Sequence, residues 1–152
     1  DVTIYEFFDY NCGYCKSVMQ NIFNIYKKDK KVEIVFVEYP ILSNSSLSAA
    51  KASLAARNQK KYFEFHSKLM KHTGKIDDKL LLSFAKELKI DLKKLKSDYS
   101  NEKLMLIINK NREIANRLNL RGTPAFIIGN KIYPGAMSEK DIEKAIALER
   151  KR

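Results

Sequence analysis

Residues 2–8 read VTIYEFF and residues 32–39 read VEIVFVEY, two short, nearly continuous runs of β-branched and aromatic residues. Such runs suit strands that are covered on both faces of a sheet. Pro40 stops the second run. Between them, after the turn-forming Asp9-Tyr10-Asn11, Cys15, Val18, Met19, Ile22, Phe23 and Tyr26 share one face of a helix that ends near Lys28. Two parallel strands require a crossover of this kind, and its default hand is right. Residues 1–40 are therefore predicted to form a βαβ unit, with the chain's two cysteines, Cys12 and Cys15, at its strand-to-helix junction.

Residues 41–119 read as helical. Leu47, Ala50 and Leu54 share a stripe within 46–58, and Tyr62, Phe65 and Leu69 do so within 61–72. Asp77 or Asp78 is placed to cap a helix carrying Leu81, Phe84, Ala85 and Leu88. Residues 101–119 carry Leu104, Ile107, Ile108, Ile114, Ala115 and Leu118. Gly74 punctuates the block, but no Gly/Ser/Pro-rich linker sets it apart, so it is expected to pack on the sheet as an insertion. Residues 120–152 return to strands: 125–128 and 131–133 flank Gly129-Asn130, a Gly-first connection suited to a type II′ hairpin. Ser138 to Asp141 has capping-box spacing before a last helix bearing Ile142, Ala145 and Ile146. The order βαβ, helical block, ββα predicts one α/β domain over 1–152, built around a mixed central sheet.

Composition narrows the function classes. Of 152 residues, 45% are hydrophobic, enough to give one domain a core. No apolar run approaches the ~20 residues of a membrane span. The net charge of +11 raises a nucleic-acid reading. Its distribution opposes that reading, because 23 of the 29 basic residues are lysines scattered along the chain. In the densest stretch, residues 86–96, Leu88, Leu92 and Leu95 recur at helical spacing, so the lysines form the wet side of amphipathic helices. No Arg-rich recognition helix is present.

Two thiols three positions apart cannot staple a fold. At the start of a helix, unpaired N–H groups and the helix dipole favour an anion, so a thiolate is stabilised at Cys12. The thiolate is both the attacking species and the better leaving group. Cys15, one turn into the helix and on its apolar stripe, is expected to be the more buried, resolving thiol. A structural zinc site is the rival reading, and it needs about four ligands. Only His66 and His72 could complete it, and a spacing of six puts them on different helix faces. A Cys-x-x-Cys beside a βαβ pattern instead indicates redox chemistry.

The segments Phe7-Phe8-Asp9-Tyr10-Asn11-Cys12-Gly13-Tyr14-Cys15-Lys16 and Arg121-Gly122-Thr123-Pro124-Ala125-Phe126 resemble the DsbA-type branch of the thioredoxin superfamily. The likeness is to Com1-like bacterial thiol:disulfide interchange proteins, over nearly the whole chain. It implies a thioredoxin-like fold with an inserted helical block, and disulfide exchange with protein substrates through the Cys12–Cys15 pair, with no other cofactor and no metal. It further implies that Thr123-Pro124 forms a cis-proline loop facing the thiols and pairing with substrate backbone. Glu6, six positions before Cys12 in an apolar strand, would be a buried acid that handles protons for Cys15. The alternative for Glu6 is a side chain that reaches solvent or a lysine. Tyr14, by its motif position, would offer apolar surface to unfolded chains, with Gly13 as its motif neighbour. His66 reads as a packing residue and His72 as a helix end.

The sequence departs from the strong oxidants of this group, which carry Pro-His between the cysteines and Val before the proline; here these positions hold Gly13-Tyr14 and Thr123. CGYC with Thr-Pro also resembles periplasmic disulfide isomerases and ScsC-like proteins, which are oligomers held by an N-terminal extension. The chain begins at Asp1 directly before a strand and reads as a processed or trimmed piece, with no signal peptide or oligomerisation arm. The implied partners are unfolded or misfolded cysteine-containing proteins and a membrane redox partner, oxidising or reducing, in an extracytoplasmic bacterial compartment such as the periplasm. A homo-oligomer assembled through a missing N-terminal segment fits the isomerase alternative. The remaining rivals are a zinc-stabilised module and a basic nucleic-acid-binding domain.

Overall fold

The computed structural model describes residues 1–152. Strand β1 (Val2–Phe8) leads through a short turn into helix α1 (Gly13–Lys28) and on to strand β2 (Val32–Glu38). Five helices follow: α2 (Asn44–Arg57), α3 (Tyr62–Lys71), α4 (Asp78–Glu87), α5 (Leu92–Tyr99) and α6 (Glu102–Arg117). Strands β3 (Ala125–Ile128) and β4 (Lys131–Pro134) and helix α7 (Glu139–Arg150) complete the chain. The sheet runs in the order β2-β1-β3-β4. β1 pairs in parallel with β2, from Val2 opposite Val32 to Phe8 opposite Glu38. The β1–β3 and β3–β4 pairs are antiparallel, so the sheet is mixed. This is the α/β domain with a mixed central sheet that the element order predicts, and the thioredoxin-like arrangement that the resemblance implies, with α2–α6 inserted between its halves.

Local chemistry explains the boundaries. Five helices start on a side-chain cap of Ser, Asp or Asn: Ser43, Asp77, Asp91, Asn101 and Ser138 each accept a backbone N–H from the following turn. Of the two candidates for the α4 cap, Asp77 is the one used, accepting from the Leu80 N–H at 2.9 Å. The lysine-rich stretch 86–96 is split in two, because Lys89 takes a positive φ of 57° and Asp91 then caps α5. In the hairpin, Gly129 has a φ of 62° while Asn130 stays out of the left-handed region, as a type II′ turn requires.

One core cluster joins Phe8, Tyr10, Cys12 and Cys15 to the inserted helices through Ala49, Ala55, Phe65, Leu69 and Ile108. A second lies between the sheet, α1 and α7 and includes Ile4, Ile22, Ile25, Phe126 and Ile142. The thiols thus belong to the core shared with the insertion. Helix α2 is buried over most of its surface, which its run of alanines permits and a single stripe does not describe. The expected stripe on α1 needs one correction: Ile25 is buried and Tyr26 is exposed, since 15, 18, 22 and 25 close a tighter face. Ile114 on α6 is likewise exposed, whereas its neighbour Ala115 is buried.

Candidate active site

Cys12 is the residue that caps α1. Its backbone is extended (φ −86°, ψ 112°), and its Sγ accepts the Cys15 backbone N–H at 3.2 Å. The first turn of α1 carries no acidic residue to oppose negative charge there. A sulfur in this position takes up a helix-end N–H and faces the positive end of the helix dipole. On its other side the Cys12 thiol donates to the carbonyl oxygen of Thr123 at 3.4 Å. The Thr123–Pro124 peptide bond is cis, and Pro124 is buried beside the half-buried Thr123.

The two thiols are unlinked and unequal. Cys15 is fully covered, whereas Cys12 keeps 6% of its surface. Burial pushes the Cys15 thiol well up, reinforced by its hydrogen bond with Cys12. Lys16 follows directly, and its ammonium donates to the His72 carbonyl at the end of α3. Partial burial lowers the Lys16 ammonium, against the attraction of Asp9 and Cys12. Tyr14 projects into solvent with 72% of its surface exposed, and Gly13 has open space around its α-carbon.

Three consecutive residues, which the sequence presents only as turn formers, fasten the turn before Cys12. The buried Asp9 carboxylate accepts four hydrogen bonds. Oδ1 takes the Asn11 N–H and the Ser46 hydroxyl, both at 2.7 Å; Oδ2 takes the N–H groups of Ile41 at 2.8 Å and Leu42 at 2.9 Å. Asn11 donates its amide to the hydroxyls of Ser43, Ser45 and Ser46 at the start of α2. Tyr10 points inward, with its hydroxyl 2.8 Å from Glu38 Oε1 and 2.9 Å from His66 Nδ1. An Asp-x-Asn directly before the thiol pair, with serines opening the next helix, was the available signal for the first two anchors. Nothing local in the sequence points Tyr10 at Glu38.

Glu6 is buried on β1 and pairs with no cation; its Oε1 has no hydrogen-bond partner. The solvent or lysine alternative is thereby set aside. Burial alone pushes its carboxyl up to about 8. His66 is packed among Phe8, Phe36, Tyr10 and Tyr62, and burial lowers its imidazole to about 3. His72 ends α3, with Nε2 3.1 Å from the Lys75 carbonyl. The histidines and the thiols do not converge, and no three His, Cys, Asp or Glu side chains are grouped as metal ligands. No helix is long and apolar enough to cross a membrane.

This geometry has close counterparts. The family model described as "Thioredoxin" matches residues 1–147. A thioredoxin-like oxidoreductase from Silicibacter pomeroyi DSS-3 superposes with a TM-score of 0.96 at 36% identity, covering 100% of this chain and 88% of that one. The thiol-disulfide exchange protein alpha-DsbA2 from Wolbachia pipientis gives a TM-score of 0.91 at 32% identity, covering 97% and 81%. Disulfide bond formation protein D of Bacillus subtilis (strain 168) is 26% identical over 162 residues, 99% of this chain and 73% of its own length. Two sodium/proton antiporters also align at 23% identity, and the chain spans only 22% of their length. With a family model across nearly its whole length and a fold shared at this level, the chain belongs to the thioredoxin family.

Proposed function

We propose that the protein is a DsbA-like thiol–disulfide oxidoreductase that passes a disulfide from its Cys12–Cys15 pair to cysteine-containing polypeptides. The observation that carries this reading is the Cys12 sulfur. It caps α1, faces the Thr123 carbonyl, and keeps the only exposed thiol surface, while Cys15 is sealed beneath it. The names of its relatives, a thiol-disulfide exchange protein and a disulfide bond formation protein, support the same class.

In the oxidising direction a substrate thiolate attacks Cys12 Sγ of the disulfide. The S–S bond breaks, and Cys15 Sγ leaves with the electron pair. A second substrate thiolate then attacks its own sulfur in the mixed disulfide and releases Cys12. The substrate loses two electrons and the Cys pair gains them. The Cys15 thiolate is a poor buried anion and must take a proton, which Glu6, the buried carboxyl on β1 whose Oε1 has no partner, is suited to supply. Thr123 and Pro124 would align an extended substrate backbone, and Tyr14 would touch its side chains.

The cycle needs a membrane redox partner to restore the disulfide. An oxidising one fits this reading, and an extracytoplasmic, periplasm-like compartment is where such disulfides persist. Run in reverse, with reduced Cys12 attacking a substrate disulfide, the same atoms serve a reductase or an isomerase. The Gly-Tyr dipeptide between the cysteines favours keeping that as the second reading, with oligomerisation through a segment outside this chain. The test is equilibration with glutathione buffers, followed by refolding of one substrate in fully reduced and in scrambled form. A reversible two-thiol transition with rescue of the reduced substrate is expected. Rescue of the scrambled form alone selects the isomerase, and no exchange at all overturns the proposal.

A further inference from the structure

Of the net charge of +11, +9 falls on residues 41–119, which hold 17 basic and 8 acidic side chains. The fold gathers part of that charge at one corner. Helices α2 and α4 end alike: just past each, a lysine takes a positive φ, Lys60 at 60° and Lys89 at 57°. The N–H that follows, of Lys61 and of Ile90, reaches back to the carbonyls of Ala56 at 3.1 Å and Ala85 at 2.9 Å. In this left-handed helix ending glycine is the usual residue and asparagine the next. Helix α6 ends in the same way and does use asparagine, Asn119. Lysine at the other two endings runs against the backbone preference.

Gln59 holds the two lysine endings side by side. Its side-chain amide donates to the Asp91 carbonyl at 3.1 Å, and its Oε1 accepts the Asp91 N–H at 2.9 Å. Arg57 and Lys60 from one turn thereby join Lys86, Lys89, Lys93 and Lys94 from the other, and all six are exposed. None of the six forms an ion pair or lies over an aromatic ring. The two carboxylates in these segments are engaged: Glu87 pairs with Lys68, and Asp91 caps α5 through the Lys94 N–H at 3.0 Å.

A solvated surface accounts for only part of this. Cations past the ends of α2 and α4 face the negative ends of those helices, where they are favourable. Lys93 and Lys94 stand instead in the first turn of α5, which has no acidic residue, so they meet the positive end of its dipole. Like charges gathered at one corner also repel one another. The corner is thus unfavourable in backbone, in dipole and in repulsion, and an anionic surface would relieve the last two.

We propose that this corner of the insertion docks the protein on an anionic lipid bilayer. Five of the six cations are lysines, strongly hydrated point charges that are depleted at protein interfaces; arginine is the residue favoured there and on nucleic acids. Residues 57–61 and 86–94 contain no aromatic side chain to anchor a protein partner or stack on a base. None of the large apolar side chains exposed on the molecule lies in them either. A charged bilayer needs no such anchor, since each lysine near its surface strengthens binding by about fivefold.

Co-sedimentation tests this with vesicles of phosphatidylcholine alone and of phosphatidylcholine mixed with phosphatidylglycerol. The protein should pellet with the mixed vesicles at low salt, stay in solution with the neutral ones, and be released as salt screens the attraction. Lys60→Gly/Lys89→Gly removes one charge from each turn and relieves both left-handed lysines. It should unfold no more easily than the wild type, yet bind the mixed vesicles about 30-fold more weakly. Lys93→Gln/Lys94→Gln should lose a similar factor. The control Lys131→Gln/Lys140→Gln, which takes two charges from β4 and α7, should bind almost as the wild type does. A control that falls as far as the others would mean that binding follows total charge, and would overturn the inference. Equal binding to both vesicles, or none to the mixed ones, overturns it too. Retention on polyglutamate or on a DNA duplex, at a salt concentration that frees the vesicles, would assign the corner to an acidic protein or a nucleic acid instead. Sedimentation does not involve the thiols, so it reads the same whether or not the protein exchanges disulfides.

Discussion

The Cys12 thiol and the Thr123 carbonyl, 111 positions apart in sequence, meet at 3.4 Å. One side of that contact is the helix start that caps on sulfur; the other is the loop that opens β3. Cys12 keeps what little exposed surface the pair has, and Cys15 beneath it is fully covered.

The inequality of the thiols predicts different fates for their serine variants. Cys12→Ser should reduce exchange with a thiol peptide to the uncatalysed background. Cys15→Ser keeps the attacking sulfur and loses the resolving one, so it should accumulate a mixed disulfide with the peptide at Cys12. Mass spectrometry under non-reducing conditions reads both. A stable adduct in Cys12→Ser, or its absence in Cys15→Ser, would reverse the assignment of roles.

Asp9 should be among the most costly positions to change. Its carboxylate satisfies four donors from three segments, and Ala would orphan all of them while freeing the turn that carries Cys12. Leaving buried donors unpaired costs about 1–3 kcal/mol per group, more when a charge was the partner. With partial rearrangement toward water, the loss should be on the order of 3–5 kcal/mol. Ser46→Ala removes one of the four bonds and should cost about 1 kcal/mol. Denaturant unfolding measures both; equal, sub-kcal effects would deny Asp9 its anchoring role.

The part of this site carried by periodicity and spacing is legible in the sequence: both halves of the sheet, a cap at Asp77 or Asp78, and the thiol pair at a helix start. What depends on tertiary approach was not. Tyr10 reads as a turn residue because its partners, Glu38 and His66, lie 28 and 56 positions away. His66 reads as simple packing, which its aromatic surroundings bear out, but its Nδ1 also completes a buried polar chain. Helical spacing of apolar residues places Tyr26 and Ile114 inward, but both are exposed. A helix face is narrower than the set of apolar residues competing for it, and Ile25 and Ala115 occupy the inner positions.

Stability should depend on pH in two opposed ways. Burial raises the Glu6 carboxyl from 4.5 to about 8, so the folded chain binds that proton more tightly than the unfolded chain. This contribution is full below about pH 4.5 and is lost as pH rises to about 8. His66 is lowered from 6.5 to about 3, so its contribution is full above about pH 6.5 and is lost as pH falls toward 3. Glu6→Gln should therefore leave stability near pH 5 little changed and raise it at pH 9 by on the order of 2–4 kcal/mol. Unfolding curves at the two pH values test this, and an equal effect at both would mean that Glu6 is not buried as a neutral acid.

The hairpin turn offers a test in which backbone and side-chain effects separate. Gly129 sits at a φ of 62°, and a Cβ built there would fall 2.0 Å from Glu149 Oε2. That oxygen is the far end of a flexible side chain on α7, so it can swing away, and the lasting penalty is the left-handed backbone. Gly129→Ala should cost about 1 kcal/mol, which lowers Tm by roughly 2–4 °C for a chain of this size. Asn tolerates this region better than Ala, so Gly129→Asn should recover part of the loss. Removing the obstructing side chain in Gly129→Ala/Glu149→Ala separates the two causes. Little recovery assigns the cost to the backbone, and full recovery would assign it to the clash with Glu149.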